Sequence, residues 1–391
     1  MSLGASRSPA LSSLPMRPLC ALALLACTGP VATDTAAVDT AALPDTADTA
    51  DTADTAPYSL QLAGELPLTG AMDVWGEGNT VVLAGGIHRT VDILIADISD
   101  PTHPTQLATI EGIGEVRDVE LKGGLLVAAS DCGCQRGSAD HAAWDGIGLR
   151  LYDLADPSAP VLLAEIGAPT DSVHNLFLEG DRLYASSMLE NAIVIFDVSD
   201  PRNPTELGRW TPPEGSVHDQ TVVGDMMYVA HVTGFSLVDV SDGANPTSIL
   251  TVPVARLDGT FTSLHSIWPL PDGIHVATAQ EQIGGKLRIW DVERATPTVA
   301  LPEGEEPNCV HNVYVFGDKL YAAWYLDGVR VYDISAPATP TLLTTYDTSA
   351  RAPEPTTVPD IRGAWGLWVD NGRVVVGDTE RGLLVLTEGG Q

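Results

Sequence analysis

The chain repeats itself. Ile-Ala-Asp-Ile-Ser-Asp-Pro at Ile95 to Pro101 returns as Leu-Tyr-Asp-Leu-Ala-Asp-Pro at Leu151, Ile-Phe-Asp-Val-Ser-Asp-Pro at Ile195 and Val-Tyr-Asp-Ile-Ser at Val331, with weaker copies at Leu237 and Ile289. A period of about 45 residues marks a unit that cannot bury its apolar face alone and must stack on its neighbours. Aligned, seven units begin at Met72, Arg117, His174, His218, His265, His311 and Trp365.

Each unit reads as four strands. In the sixth, an apolar run from Asn312 to Phe316 turns at Gly317-Asp318 and returns through Leu320 to Ala323. Gly-Asp turns recur at Gly180-Asp181 and Gly224-Asp225, a hairpin signal between apolar runs. A third strand, Val329 to Ile334, precedes a Ser-x-Pro-x-x-Pro turn, and a fourth spans Thr341 to Tyr346. The seventh unit ends after its third strand, Leu383 to Leu386, while Ser59 to Ala63 ahead of the first unit reads like a fourth strand. Pairing the two removes an open edge. The expected fold is therefore all-β: a seven-bladed β-propeller of four-stranded antiparallel blades, with the ring closed by the N-terminal strand. The Asp that ends six third strands (97, 153, 197, 239, 291 and 333) is expected to cap the following turn.

The unit resembles the LVIVD repeat of bacterial and archaeal surface proteins over most of the chain from Pro57 onward. A narrower resemblance, to the choice-of-anchor B family, rests on His311 to Tyr314, Gly328 to Ser335, Gly363 to Gly366 and Arg381 to Leu383. It implies a propeller with variable surface attachment and no settled reaction.

The start of the chain reads as an address. Arg7 and Arg17 precede a short apolar run, Leu19 to Ala26, too brief to span a bilayer. Leu24-Leu25-Ala26-Cys27 resembles the bacterial lipobox, in which the Cys is acylated and becomes the first mature residue; cleavage further on, near Val31-Ala32, is the other reading. The expected organisation is a lipoprotein-type signal peptide (1–26), a disordered Asp/Thr/Ala-rich tether (27–56) and the propeller (57–391). The tether holds no aromatic residue and cannot bury enough surface to offset its ordering entropy. Localisation is expected to be exported and lipid-anchored in the outer membrane or at the cell surface, with membrane contact only through the lipid. Twenty basic residues, three of them Lys, against 52 acidic ones argue against nucleic acid as a partner.

Strand order puts the unit starts and the loops between second and third strands on one face, with the unit starts rimming the central channel. His174, His218, His265 and His311 thus come from four consecutive blades. Convergent neutral imidazoles suit a transition metal ion such as zinc, copper or iron. The other reading has each imidazole bonding the adjacent blade's backbone. Arg117, Asp118, Asn175, Asp219, Asn312, Trp365 and Cys309 complete the expected ligand-binding face, with Arg117 suited to an anion and Asp219 to a base. Asn175, Asp219, Ser266 and Asn312, each following a His, are able to orient an imidazole. An insertion from Asp131 to Asp145 carries Cys132, Cys134, His141 and Trp144, so Cys132 and Cys134 form a small disulfide or hold a metal. Trp324, Tyr325 and Trp365 fall near the same face and are suited either to stacking a flat ligand or to packing against a neighbouring blade.

No phosphate-cradling Gly loop, Gly-x-Ser-x-Gly elbow or His-Glu-x-x-His helix is present in the sequence. Two functions remain: a surface module binding a protein or small ligand through the His-rich channel face, or a metal-binding protein or metalloenzyme, oxidoreductase or hydrolase, centred on the His cluster. The address is directly testable. Cys27→Ala is expected to move the protein from the membrane to the soluble fraction on cell fractionation, and membrane retention would refute the lipobox reading.

Overall fold

The first strand of each unit is buried along most of its length because it lies innermost, between two neighbours. These inner strands run Ala71–Glu77, Val116–Lys122, Asn175–Glu179, Val217–Val223, Leu264–Pro269, Val313–Phe316 and Ala364–Asp370. Each begins a four-stranded antiparallel sheet, and the described residues form seven such sheets. The structure is a computed structural model describing residues 57–86, 91–132, 145–254, 264–282, 285–301, 309–349 and 361–390. The export segment, Cys27, the tether, Cys134, His141 and Trp144 lie outside these residues. Among the described residues there is no helix long and apolar enough to cross a membrane.

Every inner strand packs against the inner strands of the two adjacent blades, and that of blade seven packs on that of blade one. The result is a closed seven-bladed β-propeller. Seven hydrophobic clusters lie between successive blades, including one that joins Val375 and Val385 of blade seven to Val74 and Leu83 of blade one. Second and third strands such as Thr80–Gly85 and Ile93–Asp97 are buried along nearly their whole length, whereas outer strands such as Thr205–Trp210 begin exposed.

Ring closure follows the expected route. Ser59–Pro67 pairs antiparallel with Gly382–Gly389, Leu60 opposite Glu388 and Leu66 opposite Leu383. Tyr58 Oη donates to Glu388 Oε1 at 2.6 Å, and Tyr321 Oη donates to the same atom. The turn aspartates act locally: the carboxylates of Asp97, Asp153, Asp197, Asp239 and Asp333 accept the backbone N–H two residues on, at 2.8–2.9 Å. Asp291 instead accepts from Arg294 N at 3.0 Å.

A bulge at each unit start positions the channel residues. Register slips between Ala71 and Val74, Val116 and Asp118, Val217 and Asp219, Leu264 and Ser266, and Ala364 and Gly366. In blade three His174 N donates to the carbonyl of Ser186, which also pairs with Asn175. In blade six Ala323 faces both His311 and Asn312. Two residues opposing one turn consecutive side chains toward the same side, which strict alternation forbids. Blade seven carries Gly366 at the second position, where an added Cβ would stand 2.8 Å from Asp73 Cα.

Deleting residues 57–67 would leave Gly382–Gly389 as an unpaired edge and expose its apolar neighbours. The deletion is expected to cost about 5 kcal/mol or more of unfolding free energy, from the lost ladder bonds and the burial of Leu60, and to promote self-association. Chemical denaturation and size-exclusion chromatography measure both, and an unchanged midpoint with monomeric elution would contradict closure by this strand.

Candidate functional site

The bulged residues meet at one mouth of the channel. Met72, Arg117, His174, His218, His265, His311 and Trp365 line it, in a cavity of about 330 Å³ counted with its open end. Successive imidazole centroids are 4.6 Å (His174–His218), 4.0 Å (His218–His265) and 3.9 Å (His265–His311) apart, and His311 lies 4.4 Å from Trp365. The four histidines form one continuous arc.

Burial, reinforced by the neighbouring imidazoles, holds His218, His265 and His311 well below the ordinary histidine range. They are neutral at pH 7, so each carries a lone pair on one ring nitrogen. Two of the arc's rings have that nitrogen assigned by their surroundings. His311 Nδ1 is 3.0 Å from the carbonyl of Trp365, and since a carbonyl only accepts, Nδ1 bears the proton and Nε2 the lone pair. His174 Nδ1 is 2.9 Å from Asp131 Oδ2, while Asp131 Oδ1 accepts Ser172 Oγ–H at 2.5 Å. Among the described residues, His218 Nδ1, His265 Nδ1 and Arg117 Nε are buried with no hydrogen-bond partner. The blade-tying reading of the imidazoles holds for His311, which bonds the blade-seven backbone, and His218 and His265 lie in the same way against the backbones of His265 and His311 in the next blades.

The next residue ties blades as well. Asp118 Oδ2 accepts Leu176 N at 2.6 Å, Asp73 Oδ2 accepts Val119 N at 3.4 Å and Ser266 Oγ accepts Val313 N at 3.3 Å, each across a blade boundary. Asn175 Oδ1 accepts from the Gln220 amide at 3.2 Å. Asp118, Asn175, Asp219, Ser266 and Asn312 therefore form a second layer beneath the imidazoles, and of these Asn312 interacts with the His265 ring. Burial raises Asp118 and Asp219 well above the ordinary carboxylate range, and Asp73 to about 6; repulsion from the neighbouring acids adds to each. Carboxyls packed this closely share protons.

A third layer ends the channel. Trp75, Phe177, Trp268 and Tyr314 each follow a unit start by three residues. Their ring centroids form a circuit: Trp75–Phe177 6.3 Å, Phe177–Trp268 6.3 Å, Trp268–Tyr314 4.4 Å and Tyr314–Trp75 5.9 Å. Rings from blades one, three, five and six can touch in this way only across the axis. The mouth is a cup closed from below.

Loops between second and third strands contribute at the rim, as strand order requires. Glu281, in blade five, occupies the same place after its second strand as Asp131 does in blade two, and sequence reasoning passed over it. Its Oε2 is 3.6 Å from His265 Nε2, and its Oε1 accepts the hydroxyl of Tyr325. Tyr325 is buried, adopts a positive φ of 45° and lies 5.1 Å from His311. Two trios could hold a metal ion, with ligand atoms within 4.8 Å of one another: His174, His218 and His265, and His265, Glu281 and His311.

Other expected residues sit differently. Cys309 is a fully buried free thiol, raised by burial and by Glu281, and does not line the mouth. Trp324 is wholly buried beneath the Arg330 guanidinium, 4.5 Å from its ring, so it and Tyr325 offer no open stacking face; Trp365 does. Arg117 is paired with Glu115 at 2.7 Å. Cys132 is disulfide-bonded.

The LVIVD repeat matches residues 71–110, 175–211, 214–253 and 309–348, which are blades one, three, four and six. No curated protein matches the chain. The crystal structure of the computationally designed Ika8 protein is similar, with a TM-score of 0.54 over 81% of this chain and 83% of that one at 12% identity. At that identity the likeness concerns the fold alone.

Asp73 supplies a pH test of the acid layer. A carboxyl whose folded pKa is raised from 3.8 to about 6 leaves stability intact below pH 3.8 and removes it as pH rises through 6. Asp73→Asn abolishes that loss. The variant is expected to gain up to about 3 kcal/mol on the wild type between pH 3.5 and 7.5 in chemical denaturation. A pH-independent difference would show that Asp73 is not held protonated.

Proposed function

We propose that the protein is an exported, lipid-tethered propeller of the choice-of-anchor B type that works as a binding module, taking a small polar ligand into the His-rich cup. The ligand is free or is the tip of a surface macromolecule. One observation carries this reading: the cup gathers buried polar atoms of Arg117, His218, His265 and Asn312 that have no partner among the described residues. Such groups cost about 1–3 kcal/mol each when left unmade, and a scaffold that keeps several together in one concavity has a use for them. The cup suits a small group and excludes a folded one. LVIVD repeats and a closed ring fit a rigid display scaffold. The acidic tether ahead of Pro57 supports a position at the cell surface.

Hydrogen–deuterium exchange in the presence of a fractionated cell-envelope extract tests the proposal. Protection is expected at the mouth, around His174, Glu281 and Trp365, and is expected to disappear in Arg117→Ala/Trp365→Ala while persisting in Asp200→Ala on the opposite face. Protection confined to the Ser-Asp-Pro turns or the outer strands would overturn it.

A further inference from the structure

The cup contains a second level of organisation that ligand capture alone does not explain. Three donor atoms are already oriented at one point of the rim. His311 is fixed by the Trp365 carbonyl so that Nε2 holds its lone pair. Glu281 accepts the Tyr325 hydroxyl on Oε1, leaving Oε2 for another partner. His265 directs Nε2 at that same Oε2 across 3.6 Å, too long for a hydrogen bond and close to the spacing of two ligands on one ion, about 3.4 Å for 2.1 Å bonds at tetrahedral angles.

We propose that His265, His311 and Glu281 form a two-His, one-carboxylate site for a single divalent transition-metal ion, zinc or iron(II), with water in its remaining positions. The inference rests on the mouth being the working face and names what it holds there. Both flanking supports are of the kind metal sites use: a backbone carbonyl on the outer nitrogen of one imidazole, and a buried hydroxyl on the outer oxygen of the carboxylate. Tyr325 keeps its positive φ in that supporting position, stitched to blade seven through reciprocal bonds with Ala364 at 3.1 and 3.0 Å. The neighbouring trio of His174, His218 and His265 lacks an anionic ligand of its own, since Asp131 is engaged by His174 Nδ1 and Ser172. A dication buried among neutral imidazoles keeps its full charge, whereas Glu281 offsets half of it. His218 and then His174 continue the arc beyond His265, on the side where an oxygen-bearing ligand would arrive.

Cobalt(II) is the probe, added to the metal-stripped full chain purified without an affinity tag. Ligand-field absorption reports the coordination and a competing chelator reports the affinity. One cobalt per chain is expected, weakened at least about 100-fold in Glu281→Gln and in His311→Gln, and by about 10- to 100-fold in Tyr325→Phe, which removes a support and no ligand. His174→Gln is expected to bind within a few-fold of wild type. Metal-free thermal unfolding checks that each variant is folded, and Tyr325→Phe carries the test should a Gln variant unfold. No cobalt bound by the wild type, or loss on His174→Gln equal to that on Glu281→Gln, would overturn the site. Envelope protection at the mouth without cobalt binding would overturn this inference alone, and cobalt binding with protection elsewhere would overturn the ligand-capture reading alone.

Discussion

A sheet with one unpaired edge cannot end a ring, and the hydrogen bonding of Ser59–Pro67 to Gly382–Gly389 is the constraint from which the rest of this molecule follows. Once residues 330 positions apart share a sheet, as Ser59 and Gly389 do, the seven blades have no freedom to open into an array. Their inner strands must then converge on an axis. Closure therefore decides more than stability: it sets the distance between side chains that the sequence holds some 45 residues apart. The apolar clusters between blades one and seven are continuous in kind with those between any other pair, so the seam is not a weak joint.

The bulge converts that convergence into a site. In a strictly alternating strand, a residue and its successor point to opposite faces, and only every second one would reach the channel. The recurring slip at the unit start turns both inward and gives the channel two polar layers where a regular strand would supply one. The layers then divide the labour. The lower residues, Asp118 and Ser266 among them, bond the backbone of the next blade, so the imidazoles above are not the only ties between blades. An imidazole that ties through Nδ1, as His311 does, still keeps its Nε2 lone pair for whatever enters the cup.

Much of this was legible from the residues. Period, turn chemistry and the missing fourth strand pointed to seven closed blades, because each is a local signal repeated often enough to be read against itself. The four histidines were visible for the same reason. Glu281 was not, since it occurs in one blade and follows no repeated pattern; its counterpart Asp131 was noticed only as the edge of an insertion. The aromatic floor went unread although Trp75, Phe177, Trp268 and Tyr314 share one position in the unit, because apolar residues in an inner strand look the same whether they fill a core or close a channel. Cys309 illustrates the opposite error: its place in the chain suggested exposure at the mouth, while the side chain turns into the packing between blades, a direction set by local backbone geometry that no spacing encodes; Trp324 takes the packing role that its position left open beside stacking.

Neutrality inside an acidic molecule is the feature that makes the cup unusual. The chain carries a formal charge of −32, and its long-range field draws cations toward any opening. Within the channel the sign of the argument changes: burial raises Asp118 and Asp219 and lowers His218, His265 and His311, so acids and bases alike are pushed to their uncharged forms. An environment of that kind favours donors with free lone pairs over fixed charges. It also means that a cation arriving from the acidic exterior would find in the upper layer lone pairs not already holding protons, and in the layer beneath it carboxyls able to ionise in response. The aromatic floor closes the way out. Blind below and open to one side, the cup is arranged to hold what enters.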